Sequence, residues 1–285
     1  MSHDGVSANG RASTTDEPSL RDRLTAEAVQ QRRDAAVGLV EAAADGLDPE
    51  TGQALSERVR VDEDADVRQF AVEALGMAGK RTKAIEDALE DDDPWVRAEA
   101  VVARSRTAPE DVETLRNCLD DESGWVRRNA VIALGKVGAA DQSELIARIR
   151  NDSHPPVREY AAQFLGEVAD DTDEAVRILA AVLARDPNAF VRAKAAESLG
   201  TLATDRAQEA LESQGLPDRS DAVQRAAKRA LASAQGRDPG EIDLPDSPAP
   251  GGGPDRPSES PGGGPGHPEE TPGPDFRPAD RGGPR

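Results

Sequence analysis

Residues 121–135 read DESGWVRRNAVIALG, and the chain repeats this pattern five more times. Each copy has an aspartate, a valine five residues later, and small or apolar residues at helical spacing after the valine. The other copies are residues 62–76, 91–105, 152–166 and 186–200, and a more divergent one at 218–232. Successive valines lie between 29 residues (Val67 to Val96) and 34 residues (Val157 to Val191) apart. Such a period is typical of repeat arrays, in which each unit buries its apolar face only against its neighbours.

Each copy is predicted to contain the start of a helix. The residue three before each valine is a favoured N-cap type in five of six copies, and proline follows it twice. These residues are Asp64, Asp93, Ser123, His154, Asn188 and Ser220. Another helical segment precedes each copy, so each unit is predicted to be a pair of helices. We expect the first helices near residues 49–60, 83–90, 109–119, 141–150, 173–184 and 205–213.

An aspartate and an arginine six residues apart flank the predicted start of the second helix in five copies. The pairs are Asp62/Arg68, Asp91/Arg97, Asp121/Arg127, Asp152/Arg158 and Asp186/Arg192. The sixth copy keeps Asp218 but has Gln224 in place of the arginine. A guanidinium is a fixed fork of donors that can tie a carboxylate and turn carbonyls of adjacent units.

The full motif, D-x4-V-R-x2-A-x3-L-G, resembles the HEAT-repeat family, in the short variant also found in phycobilin-lyase-like proteins. The resemblance covers residues 20–235. It implies that the aspartate lies in the turn between paired helices, that the arginine lies on the second helix, and that together they form a structural ladder between layers. The expected fold is all-α, a right-handed α-solenoid of about six helix pairs.

The ends of the chain are predicted to differ from its repeats. Residues 1–17 are polar and expected to be disordered, and residues 18–235 form the HEAT-like domain. Within residues 20–44 a helical pattern predicts one helix that caps the array, and Glu27 and Arg33, six apart, suggest that it belongs to a degenerate first unit. Residues 236–285 are an acidic, Pro/Gly-rich tail that we expect to be disordered, because it is too poor in apolar residues to offset its ordering entropy. The tail could act as a tether or as a solubilising segment.

Composition restricts the setting and the partners. The net charge is −20, and only five of the 35 basic residues are lysines. This acidic, lysine-poor composition predicts a salt-rich cytoplasm, that of an extreme halophile. It also argues against nucleic acid as a partner, because neutralising phosphates requires clustered lysine and arginine. The single cysteine excludes an intramolecular disulfide. No long apolar run is present, so we expect a cytoplasmic protein without membrane contact.

The sequence offers little for catalysis. None of the three histidines is followed by glutamate, so the His-Glu metal pairs of the related di-iron hydroxylases are absent. The series Asp62, Asp64 and Asp66 resembles the opening of a calcium loop, but Val67 stands where the sharp turn needs glycine. Ladder and N-cap roles explain Asp62 and Asp64 better. We therefore expect no catalytic residues, no cofactor and no metal.

The positions between the repeated letters are the candidates for function. The residue one before each valine and the residues two and six after it lie on the helix face opposite the core. The candidate contact residues there are Trp95, Val102, Trp125, Arg128, Ile132 and Phe190. In HEAT arrays the second helices line the concave face, so these residues would form an apolar patch there. Such patches often bind partners. Alternatively, the tryptophans fold over helix starts and pack on the preceding helix.

The leading functional prediction is a non-catalytic scaffold or adaptor that binds a protein or peptide partner on its concave face. One alternative is an enzyme, or an accessory subunit of one, of the phycobilin-lyase or deoxyhypusine-hydroxylase type. Nucleic-acid binding is a third class, favoured only by Arg127, Arg128 and the basic residues within 225–229.

Overall fold

The computed structural model describes residues 16–242, and every regular element in that range is helical. The helices are α1 (Glu17–Arg23), α2 (Val29–Ala42), α3 (Pro49–Val61), α4 (Ala65–Met77), α5 (Lys83–Asp87), α6 (Pro94–Thr107), α7 (Val112–Asn117), α8 (Gly124–Lys136), α9 (Gln142–Asn151), α10 (Pro155–Val168), α11 (Thr172–Arg185), α12 (Ala189–Leu202), α13 (Asp205–Ala210) and α14 (Asp221–Gln235). Odd-numbered helices are the first helices of the repeats, and even-numbered helices are the second helices. The predicted all-α class, typical of a HEAT-type α-solenoid, is confirmed.

The chain divides into two compact units, one ending at Cys118 and the other beginning at Leu119. In the first unit α2, α4 and α6 pack side by side, and α3 packs on α5. In the second unit α8, α10, α12 and α14 pack in the same succession, with α11 against α9 and α13. Within each unit, second helices therefore contact second helices, as expected of stacked repeats.

The N-terminal segment differs from the expected single capping helix. Two helices, α1 and α2, occupy it, because the chain leaves the helix after Arg23 and Ala28 takes an extended conformation before α2. Leu20 and Leu24 are buried in the same core as Leu39. A complete helix pair thus precedes the six predicted from the copies.

The boundary of the C-terminal tail also differs. Residues 236–242, predicted to be disordered, contain a short 3-10 turn at Pro239–Glu241 that packs on α14. Ile242 is only 5% exposed. Burial of this apolar side chain explains why the chain stays on the domain beyond Gln235. The predictions for residues 1–15 and 243–285 lie outside the described residues.

The second helices begin at the predicted N-cap residues in all six copies. The side chains of Asp64, Asp93 and Asn188 accept hydrogen bonds from the first helical turn. At the other three starts no side-chain cap bond is made. In all six copies, the N-cap amide donates to the repeat aspartate two residues earlier, at 2.7–3.1 Å. The aspartate therefore orders the turn in every copy.

The core explains two letters of the motif. All six repeat valines are at most 1% exposed. The glycine that ends the motif lies where the next second helix approaches. A Cβ added at Gly76 would lie 2.7 Å from the Ala103 Cβ and 2.8 Å from its Cα, and one at Gly200 would meet Ala230 at 2.6 and 2.8 Å. These distances are too short for any side chain, so glycine permits the close packing of α4 on α6 and of α12 on α14.

Candidate partner-binding surface

The aspartates and arginines of the motif form ion pairs from one copy to the next. The Nε and Nη2 atoms of Arg68 donate to the Asp91 carboxylate at 2.8 and 2.7 Å. Its Nη1 atom donates to the main-chain carbonyls of Asp62 and Glu63 at 3.0 and 3.3 Å. The arginine thus donates to the main-chain carbonyl of the aspartate in its own copy and to the carboxylate of the aspartate in the following copy.

The same arrangement recurs in the second unit. The pairs are Arg127–Asp152, Arg158–Asp186 and Arg192–Asp218, each with two nitrogen–oxygen distances of 2.7–3.1 Å. Arg97, in the first unit, donates to the carbonyls of Asp91 and Asp92, and Asp121, in the second, accepts from the Ser123 amide. Such forked, charge-assisted contacts are strong and directional, which suits residues that fix the spacing between layers.

The first arginine of the series is Arg32, and the predicted Glu27/Arg33 pair is out of register by one residue. Arg32 donates to both carboxylate oxygens of Asp62 at 2.7 and 2.9 Å and to the carbonyl of Ala26, six residues earlier. Arg33 instead binds Asp64 and Asp66. The three aspartates that resemble a calcium loop are therefore all engaged by these two arginines.

The last copy retains half of the contact. Gln224 replaces the arginine, and its Nε2 atom donates to the Asp218 carbonyl at 2.7 Å. A side-chain amide has a single donor group and no positive charge. Gln224 therefore keeps the hydrogen bond to the turn carbonyl but cannot form the ion pair that an arginine would form with a following carboxylate.

The ion pairs shift the titration of their members. Hydrogen bonds that Arg68 and Arg127 donate to the carboxylates of Asp91 and Asp152 raise the pKa values of these two arginines. Burial alone would raise the pKa of Asp152, but Arg127 and the His154 amide outweigh it and hold this pKa below its ordinary value. Asp218 behaves in the same way beside Arg192. These groups stay charged over the physiological range, which is typical of structural ion pairs.

The candidate contact residues are not one exposed stripe. Phe190 is 70% exposed, and Trp95, Val102 and Trp125 are half-buried. Arg128 and Ile132, expected to be exposed, are 3% and 8% exposed, so the prediction of exposure was wrong for them. A second helix inside a unit is flanked by two others, and its buried arc is therefore wider than a wheel centred on the valine suggests.

Trp95 and Val102 lie on α6 of the first unit, and the other four candidates lie in the second unit. In the second unit the structure brings together Trp125, Arg128 and two residues that the sequence prediction missed, His154 and Tyr160. The Trp125 and His154 rings meet edge to face with centroids 4.6 Å apart. Trp125 therefore packs on the start of the following second helix, whereas the alternative prediction had named the preceding helix.

Arg128 links the two second helices α8 and α10. Its guanidinium carbon lies 5.9 Å from the centre of the Trp125 ring and 4.9 Å from that of Tyr160. Its nitrogens donate to Asn129 at 3.0 Å and to the Tyr160 hydroxyl at 3.3 Å. Cation–π contacts hold the flat guanidinium against both rings. We call Trp125, Arg128, His154 and Tyr160 the aromatic cluster.

Charged residues continue from the aromatic cluster onto α12 and α14. Burial raises the pKa of Glu159, while Lys194 and Arg128 lower it and Glu197 raises it further. Lys194 pairs with Glu197 at 2.8 Å, and Arg229 approaches Glu197 at 3.8 Å. The sequence signal for these residues was weak, because a charged residue on a helix is usually only solvated.

Among residues 16–242, no three histidine, cysteine, aspartate or glutamate side chains are arranged to hold a metal ion. Nor does that part of the chain contain a helix both long and apolar enough to cross a membrane.

Comparisons with known proteins bear on the fold. The family model described as HEAT repeats matches residues 52–111, 82–145 and 142–232, which together span more than half of the chain. No curated protein matches the sequence significantly. The Escherichia coli protein YibA is similar in structure, with a TM-score of 0.55 and 18% identity over 75% of this chain and 80% of its own.

Two further solved structures are similar at lower TM-scores. The complex of CpcE and CpcF of phycocyanin lyase from Nostoc sp. PCC7120 has a TM-score of 0.46 and 20% identity, covering 82% of this chain and 93% of that one. Human deoxyhypusine hydroxylase in complex with glycerol has a TM-score of 0.38 and 21% identity, covering 78% and 85%. At such identities the similarities concern the fold alone.

Proposed function

Because the chain belongs to the HEAT-repeat family, we propose that it is a non-catalytic scaffold that binds a protein or peptide partner through its second helices. The observation that carries the proposal is the aromatic cluster. Aromatic residues make up only 2% of the chain, yet a tryptophan and a tyrosine lie on adjacent second helices with an arginine between them. Tryptophan, tyrosine and arginine are the residue types that most often dominate binding energy at interfaces.

The cluster is suited to contact because it is already ordered. Arg128 is fixed by four contacts with three residues of the second unit, so little side-chain entropy remains to be lost when a partner covers the half-buried rings. Phe190 is the second residue of α12, the position equivalent to Trp125 in α8, and is 70% exposed. It supplies apolar area that a partner would remove from water. We place the contact on these residues, and Trp95 and Val102 extend the proposal to the first unit.

Affinity purification with full-length protein tests the proposal. Phe190→Ser removes an exposed side chain near a helix start, and Val61→Ser is the matched control because Val61 is 61% exposed at the end of α3. We expect Phe190→Ser and Trp125→Leu to lower recovery of the specific partner, while Val61→Ser leaves it unchanged. Equal recovery with all three variants, each shown to be folded by circular dichroism, would refute this surface assignment.

We also propose that the protein works in a salt-rich cytoplasm, as its composition predicts. The net charge of −20 and the scarcity of lysine support this proposal. The salt dependence of stability given in the Discussion tests it.

A further inference from the structure

A groove lies in the second unit where α9 and α11 end and the turns to α10 and α12 begin. Its volume is about 880 Å³, which is within the range of roughly 300–1,000 Å³ found for ligand sites. Ile149, Ile178 and Val182 line it and are 6–8% exposed, so they form an apolar floor. The groove is separate from the aromatic cluster, and none of the cluster residues lines it.

The charges at the groove are unevenly matched. Its two carboxylates, Asp152 and Asp186, already bind Arg127 and Arg158. The Nη1 atom of Arg158 is occupied by the carbonyls of Asp152 and Ser153. The two remaining arginines, Arg150 and Arg185, are exposed and form no ion pair with any residue between 16 and 242. Within that range, two unpaired cations therefore border an apolar floor in a chain whose net charge is −20.

The preceding groove in the same unit provides a contrast. It is smaller, about 320 Å³, and Asp120, Arg127 and Arg148 are among its lining residues. Arg148 is bound to Asp120 at 2.9 Å and to the Leu119 carbonyl at 2.8 Å, and Arg127 is bound to Asp152. Every arginine that lines this preceding groove is therefore paired, whereas the groove that follows is lined by Arg185 and by Arg219, which is exposed and has no ion pair within the described range.

We propose that this groove binds an acidic peptide segment of a partner protein. Carboxylates of the segment meet Arg150 and Arg185, whose forked donors match carboxylate geometry. An aliphatic side chain between those carboxylates lies on Ile149, Ile178 and Val182. Charge complementarity argues for this occupant. Nucleic acid fits less well, because none of the described residues that line the groove is aromatic and could stack on a base.

Fluorescence anisotropy on the full chain tests the proposal with a labelled synthetic peptide, Gly-Glu-Asp-Leu-Asp-Glu-Gly, and its neutral counterpart, Gly-Gln-Asn-Leu-Asn-Gln-Gly. The test variant is Arg150→Gln/Arg185→Gln. The matched control is Arg106→Gln/Arg206→Gln, which removes the same charge from two other exposed arginines. Loss of two charge-assisted contacts should weaken binding of the acidic peptide at least about 10-fold, whereas the control should stay within about 2-fold.

The position of the peptide within the groove is tested separately with Ala181→Glu. Ala181 lines the groove and is exposed on α11, so the substitution should not disturb folding, yet it places a bulky negative group where the peptide would lie. We expect it to weaken the acidic peptide by at least about 10-fold as well, through repulsion and lost apolar contact.

Several results would overturn the proposal. These are no binding of the acidic peptide to the wild-type chain, equal binding of the neutral peptide, or an equal loss in the Arg106/Arg206 control. Binding of a labelled oligouridylate that depends on Arg150 and Arg185 would assign the groove to RNA instead. Sedimentation of the wild type as a dimer and of the test variant as a monomer would make a second copy the occupant. Each outcome is independent of the aromatic cluster.

Discussion

Alanine substitutions at two helical glycines should change stability in opposite directions. Gly76 in α4 and Gly52 in α3 both lie within helices of the first unit. Replacing glycine by alanine inside a helix favours folding by roughly 0.4–1 kcal/mol, chiefly because the unfolded chain loses freedom. An added Cβ at Gly52 meets nothing within 4 Å. We therefore expect Gly52→Ala to stabilise the protein by about 0.5–1 kcal/mol.

At Gly76 the added Cβ would lie 2.7 Å from the Ala103 Cβ and 2.8 Å from the Ala103 Cα. The second of these atoms is backbone, so α6 would have to shift away from α4. Overpacking of this kind costs about 1–3 kcal/mol. After subtracting the propensity gain, Gly76→Ala should destabilise the protein by about 1–2 kcal/mol, so the two variants should differ by about 2 kcal/mol.

Urea unfolding followed by circular dichroism measures both variants, and the slopes must agree with that of the wild type for the midpoints to be compared. A Gly76→Ala protein as stable as Gly52→Ala would refute the reasoning, because it would mean that α4 and α6 do not approach closely at this position. Ala103→Gly in the Gly76→Ala background supplies a second check. Removing the opposing Cβ should recover only part of the loss, because the backbone of α6 would still lie too close to the added methyl group.

The remaining predictions concern charge. Asp218→Asn should destabilise the protein by about 3 kcal/mol, because Arg192 is 4% exposed and would lose its carboxylate; a loss below about 1 kcal/mol in urea unfolding would contradict a buried pair. Asp64, Asp152 and Asp218 have lowered pKa values in the folded protein. Their stabilisation is therefore present above the unfolded pKa of about 3.9 and is lost as pH falls through the folded pKa values. The urea midpoint of the wild type should drop across that acid range, and that of Asp218→Asn should drop less. The pKa of Glu159 is raised, so the free energy of unfolding should fall as pH rises and this carboxyl ionises. Glu159→Gln should therefore be more stable than the wild type at pH 7. A less stable variant would show that the attraction of Lys194 and Arg128 outweighs the cost of burying the Glu159 charge. The net charge of −20 should make the unfolding temperature rise between about 0.1 M and about 2 M KCl, as the Debye length shortens from about 10 Å to below about 3 Å; a flat or falling temperature would contradict the salt-rich setting.

Much of the fold was predictable because its signals are local. N-cap residues act within one helical turn. The side chains of Asp64, Asp93 and Asn188 fix their helix starts by accepting hydrogen bonds from amides two or three residues further along the chain. The apolar pattern after each valine likewise depends only on the helical period. The expected bounds of the first helices therefore agree with α3, α9 and α11 to within one or two residues. The error at the N-terminus arose where Thr25 and Ala28 gave no strong signal for a break.

The candidate site was less predictable, because its contacts join residues about one repeat apart. Arg128 and Tyr160 are 32 positions apart, and nothing in either local segment indicates that they meet. The helical wheel placed Arg128 opposite the core, which was correct for an isolated helix. Its burial depends on the neighbouring second helix, whose distance and rotation a single segment does not specify.

The sequence by itself determined the all-α class and the starts of the second helices, since both follow from spacing within about fifteen positions. The period of the repeats came from comparing copies whose valines lie 29–34 residues apart, and the resemblance to HEAT repeats implied the ladder residues. Only the tertiary structure decided which carboxylate each arginine binds. The motif and the family resemblance predicted a ladder between layers without specifying its partners, and the structure shows that Arg68, Arg158 and Arg192 reach the carboxylate of the next copy's aspartate and the main-chain carbonyl of their own. The physical reason is reach and direction. A side chain at the start of a second helix projects toward the neighbouring layer as well as its own turn, and the partner it meets there is set by how the helices stack.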